Sequence, residues 1–242
     1  MITNALTGTN VEEIADGIYR INTPLDIPGT SFSFNQYLVE DDEPLLFHTG
    51  PRRLFPLVSE AVAHVLAPER LRWIAFSHFE ADECGSLNEW LAIASSAQPL
   101  CSATAAMVSV ADVADREPRG LTDGETFSTG RRTLRWFDTP HLPHGWETGY
   151  LADESTRTLF CGDLFTQPGR GELALTDADI LGPSEMFRGE MDYYAHSKNA
   201  GPLFAKLAAF EPKTLAVMHG SAWRGSGGAL IRELAHAVGS PS

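Results

Sequence analysis

Along the chain, apolar and polar positions repeat with two periods. Residues 17–23 (GIYRINT) and 31–40 (SFSFNQYLVE) alternate with period two and are rich in β-branched and aromatic side chains, which predicts strands. Residues 44–50 (PLLFHTG) and 72–77 (RWIAFS) are short apolar runs of the kind that form buried strands. Between them, Leu54, Leu57, Val58, Ala61, Val62 and Val65 recur at helical spacing, predicting a helix over 51–66 with Pro51 in its first turn. A second helix is expected over 86–94, with Ser86 as N-cap and Glu89 closing a capping box, and a third over 104–114. From 120 to 166 the pattern turns to strands: 121–130 reads as a hairpin, followed by 131–140, 147–154 and 158–166. A polar connection over 167–183 then leads to helices over 185–198 and 202–210, a buried strand over 214–218 and a last helix over 229–238.

This order places sheets beneath outer helices, within a length of 242 residues that suits one domain over 1–242. Acidic side chains number 32 against 18 basic ones, a net charge of −14 that repels nucleic-acid phosphates and anionic lipid. The first residues lack the basic and apolar regions of a signal peptide, and no apolar run is long enough to span a membrane, so a cytoplasmic protein is expected. Cys84, Cys101 and Cys161 are too widely spaced for a CxxC pair and read as small buried residues.

The candidate chemistry gathers where predicted strands end. After RWIAFS comes His78-Phe-Glu80-Ala-Asp82-Glu83; in an extended segment His78, Glu80 and Asp82 point to one side, suited to a shared cation. Without a cation, carboxylates this close repel one another. Taken alone, the segment also reads as a solvated acidic loop. His141 and His144 follow another strand, Asp163 follows TLFCG, and His219 follows TLAVM. A ligand-type residue at four successive strand exits, with glycine nearby, is not what ordinary turn chemistry supplies.

These residues make the chain resemble the metallo-β-lactamase fold superfamily, and within it the di-iron domain of the flavodiiron proteins and their stand-alone oxygen-binding relatives. The resemblance runs from Thr30-Ser-Phe-Ser-Phe-Asn-Gln-Tyr-Leu-Val39 through His78-x-Glu80-x-Asp82, His144, Asp163 and His219. It implies an αββα sandwich, with two mixed sheets packed face to face. It also implies that His78, Glu80 and His144 hold one metal, that Asp82 and His219 hold a second, and that Asp163 bridges them. Two positions depart from the pattern. Glu83 stands where the family has histidine, as a ligand or a proton-transfer group, and His48 stands where the superfamily has aspartate before Thr-Gly. His141 is assigned a supporting role beside the ligand His144.

Counting Glu83, the set holds four carboxylates and three imidazoles with no thiolate, which favours iron, then manganese, over zinc. The resemblance implies a protein that binds and reduces or activates O2 or NO, or oxidises a small substrate with O2. Electrons are expected from a separate donor protein or from the substrate, with no flavin on this chain, and a homodimer is implied. Two further readings stay open: a hydrolase of an ester, amide or thioester, and a non-catalytic O2 sensor. Trp146 and Glu147 line the pocket or form a surface turn, and the run Met186, Phe187, Met191, Tyr193, Tyr194 packs in the core or forms a lid. Gly225 to Gly228 reads as a flexible connection.

Overall fold

The computed structural model describes residues 1–239, the side chain of Ile27 apart; the last three positions of the expected 1–242 span lie outside the described residues. Strands β1 (Ile2–Asn4), β2 (Thr9–Ala15), β3 (Ile18–Ile27), β4 (Thr30–Val39), β5 (Leu45–Phe47), β6 (Trp73–Ala75), β7 (Gln98–Ser102) and β8 (Arg119–Leu121) form one sheet in chain order. Pairing is antiparallel through β5 and parallel from β5 to β8. The second sheet takes β9 (Thr126–Ser128), β10 (Thr133–Asp138), β11 (Gly149–Asp153), β12 (Thr158–Gly162), β13 (Leu175–Thr176), β14 (Thr214–Val217) and β15 (Ala222–Arg224), in the order β13-β15-β14-β12-β11-β10-β9.

Period-two alternation divides each strand between two cores. Leu45 and Phe47 of β5, Phe160 of β12 and Ala216 of β14 face the layer between the sheets. Their neighbour Leu46 faces helices α1 (Phe55–Ala63) and α3 (Leu87–Ile93) on one outer side. Leu159, Cys161, Leu215 and Val217 face the other outer side, where α7 (Ala200–Ala209) and α8 (Gly227–Gly239) pack. The remaining helices are α2 (Ala81–Cys84), α4 (Ala103–Ala105) and α5 (Ala111–Val113), the last two joined by a π turn, and α6 (Leu181–Met191). The result is the αββα sandwich the resemblance implied.

Several local expectations change. Residues 121–130 are not a hairpin: β8 belongs to the first sheet and β9 to the second, so the turn carries the chain between layers. Ser86 sits at the start of α3 but makes no cap, because its hydroxyl donates to the Thr49 carbonyl at 2.8 Å while Glu89 pairs with Arg52. Gly227 and Gly228 are not a flexible link. They are buried at the start of α8, where a Cβ would lie 2.6 Å from the Pro212 carbonyl and 2.4 Å from Glu211. All three cysteines are free and buried.

Candidate metal centre

Strand pairing fixes where the site forms. Parallel pairing of β12 with β14 sets their exits, Asp163 and His219, side by side, and Met218 N donates to the Gly162 carbonyl at 2.8 Å. Gly162 has φ +50°, and a Cβ there would lie 2.5 Å from Ser77 Oγ, so only glycine lets Asp163 approach the β6 exit. On the other sheet, β6 ends at Ala75 and the chain turns through His78 into α2. Gly149 N donates to the Ser77 carbonyl at 2.9 Å, which draws the loop carrying His144 onto the same edge.

Three imidazoles are oriented in one way. His144 Nδ1 lies 3.0 Å from the Tyr193 carbonyl, His219 Nδ1 lies 2.8 Å from the Ser33 carbonyl, and His78 Nδ1 lies 3.2 Å from Glu83 Oε1. An acceptor at Nδ1 holds the proton there and leaves Nε2 as the free donor atom. Each Nε2 points inward. His78 Nε2 is 2.8 Å and His144 Nε2 3.2 Å from Glu80 Oε2, and the two are 3.7 and 3.5 Å from Asp163 Oδ2. His219 Nε2 is 3.3 Å from Asp163 Oδ1 and 3.4 Å from Asp82 Oδ2. One carboxylate thus turns one oxygen to each half of the cluster. Although Asp163 is buried and His219 is near, Oδ1 receives no aligned hydrogen bond.

The electrostatics favour positive charge at the centre. Burial alone would lower the His219 pKa, but Asp163 and Asp82 raise it to about 10. Burial likewise opposes protonation of His78, and Glu83 and Glu80 outweigh it, raising its pKa. Hydrogen bonding to His144 and His78 holds Glu80 down at about 2. Burial pushes Asp163 up, yet the surrounding imidazoles bring it well below the usual carboxylate range. Donors of this type, preset and facing one another across the cluster, suit a metal cation. His78, Glu80, His144 and Asp163 each place one donor atom within 4.8 Å of the others.

Asp82 does not share the face of His78 and Glu80. The chain becomes helical at Ala81, so Asp82 swings toward His219 and Glu83 turns into the core. Glu83 accepts from Ser77 Oγ at 2.5 and 2.7 Å and from His78 N at 2.7 Å, and sits 3.4 Å from the buried His48 ring. His141 is not brought to the cluster: it is exposed and faces a separate cavity with Pro143, Tyr194 and His196. Trp146 is exposed, whereas buried Glu147 accepts from Phe79 N at 3.0 Å and steadies the His78 loop. The aromatic run divides: Tyr194 is core, Met186 and Met191 are exposed, and Phe187 stacks on Phe32, which stacks on His219 at 4.3 Å.

Sequence reasoning gave no role to the side chains that hold the His219 loop. Asn35 Nδ2 donates to the carbonyls of Val217 and Gly220, Tyr37 Oη to Val217, and Arg20 to Gly220, all at 2.7–2.9 Å. The signal was present: Ser33, Asn35 and Tyr37 alternate on one face of β4 within the segment that carries the resemblance.

Two mixed sheets, outer helices and a histidine–carboxylate cluster at the strand exits define the metallo-β-lactamase architecture. The chain belongs to the ODP family of beta-lactamase-fold proteins, whose family model matches residues 32–220. It is 27% identical over 210 residues to the rubredoxin-oxygen oxidoreductase of Megalodesulfovibrio gigas, a match covering 80% of this chain and 50% of that protein. The chain therefore spans about half the length of the curated relative. Its fold matches a fragment of a putative diflavin flavoprotein from Nostoc sp. PCC 7120 (TM-score 0.83, 18% identity, 95% of each chain). It also matches the flavodiiron protein of Giardia intestinalis (TM-score 0.78, 16% identity, 95% of this chain and 59% of that one). Among the described residues no helix is long and apolar enough to cross a membrane.

Proposed function

We propose that the chain is a di-metal oxidoreductase that binds and reduces or activates O2 or NO, or uses O2 to oxidise a small substrate. The observation that carries this reading is the common orientation of His78, His144 and His219, each anchored at Nδ1 with Nε2 directed at Asp163 or Glu80. His78, Glu80 and His144 would hold one cation, Asp82 and His219 the other, and Asp163 would join them. Iron bound there would supply the electron-transfer chemistry that O2 or NO reduction requires.

The chain's own residues set the surroundings. Phe32 and Phe34 pack against His219, with Phe187 stacked on Phe32, whereas Glu80 is half-exposed and marks the open side. Next to Glu80 lies a groove of about 580 Å³ lined by Arg52, Phe79, Cys84, Leu87 and Val113, where a small organic substrate would approach. The relative's name supports an external protein electron donor. A homodimer belongs to the same proposal.

The test is anaerobic reconstitution with ferrous iron, followed by addition of O2 or NO to the reduced protein. Consumption of either gas in proportion to bound iron, lost in Asp163→Asn, is expected. Iron-loaded protein inert to both gases, alongside zinc-loaded protein that cleaves acyl esters, would replace this reading with hydrolysis.

A further inference from the structure

The donors on the two sides of Asp163 differ in number, and Glu83 is turned toward Ser77 and His78 N. On one side of Asp163 stand His78, Glu80 and His144; on the other, His219 faces the second carboxylate oxygen and Asp82 lies against His219. Glu83 follows Asp82 directly and is fully buried, but its oxygens are engaged elsewhere. Oε2 accepts from His78 N and Ser77 Oγ, while Oε1 accepts from Ser77 Oγ and lies against His78 Nδ1. That nitrogen is on the far side of the imidazole from the Nε2 that meets Glu80 and Asp163. The carboxylate therefore lies behind the His78 ring. Beside it, at 3.4 Å, is His48, so the two positions that depart from the family pattern are in contact.

Resting on the metal-centre reading above, we propose that Glu83 is a positioning residue for His78, not a ligand, and that the two cation positions are consequently unequal. The His78, Glu80, His144 and Asp163 position fills first and tightly. The Asp82, His219 and Asp163 position has one protein donor fewer, binds more weakly, and keeps more of its coordination sphere for an exogenous ligand. A carboxylate on Nδ1 fixes the imidazole's tautomer and ring orientation and raises the basicity of Nε2.

Metal-stripped protein titrated with Zn²⁺ against a competing chelator, followed by calorimetry, tests this. Two events separated by about 100-fold or more in Kd are expected. Glu83→Gln should weaken the tighter event by about 10–100-fold and leave the weaker one unchanged. Glu83→His combined with His48→Asp should tighten the weaker event. Two events within about threefold of each other, or a Glu83→Gln variant that loses only the weaker one, would overturn the proposal while leaving the metal centre intact. No binding at all would instead sink the metal-centre reading itself. Circular dichroism checks the Glu83 variants. If they do not fold, His144→Ala and His219→Ala decide: the first should abolish the tight event and the second only the weak one, and equal losses from both would contradict the inequality.

Discussion

Asp41 and Asp163 are both buried aspartates on the same molecule, and their surroundings are opposite. Asp41 is saturated: its oxygens accept from Thr129 Oγ1, from the backbone N–H groups of Asp42, Arg131 and Arg132, and from the Arg131 side chain, at 2.8–3.1 Å. Asp153 is similar, held by Arg132, Ser155 and Thr156. Asp163 meets three imidazole nitrogens at 3.3–3.7 Å, and its Oδ1 has no hydrogen bond. A buried carboxylate whose acceptor sites are all filled stitches loops together. One left underfilled among oriented imidazoles is suited to a cation.

Substitution should separate the two roles. The largest effect is expected for Asp163→Asn, which removes charge from both cation positions: affinity for Zn²⁺ should fall by about 100-fold or more, measured by calorimetry, while thermal unfolding stays cooperative. Asp41→Asn should do the reverse, binding Zn²⁺ as the parent does but losing about 2–3 kcal/mol of stability, or roughly 5–10 °C in melting temperature. A metal-binding defect in Asp41→Asn would erase the contrast.

Acid sharpens it further. Burial raises the Asp41 pKa, but the hydrogen bonds from Arg131, Asp42 and Thr129 more than offset this and bring it from 3.8 down to about 2. Because the folded value is depressed, the stability it confers is present above about pH 4 and is lost as pH falls toward 2. Acid unfolding of the parent should therefore steepen across that window, and Asp41→Asn should flatten it. Smallest is Phe32→Ala: removing the ring stacked on His219 should weaken the Asp82–His219 position by about 3–10-fold and leave the His144 side unaffected.

Much of this was legible in the sequence, for physical reasons. The period-two pattern of residues 31–40 already put Ser33, Asn35 and Tyr37 on one face, and strand exits marked His78, Asp163 and His219. Of the two histidines the sequence offered there, His144 lies at the cluster and His141 at a separate cavity. Glu83 was not legible, because one turn of helix beginning at Ala81 decides which way it points, and Ser77 and His78 then capture it. Nor was the passage between sheets after Leu121, since a turn looks the same locally whether its strands pair or part. Ser86 shows tertiary contact overriding local preference: Thr49 takes the hydroxyl that the capping pattern had assigned to α3.

Anomalous scattering from crystals of Zn²⁺-loaded protein, collected on both sides of the zinc edge, tests the central claim most directly. The account predicts a strong peak among His78, Glu80, His144 and Asp163, and a weaker one between Asp82 and His219, with Asp163 touching both. Peaks confined to other surfaces, with Asp163 bound to neither, would contradict it.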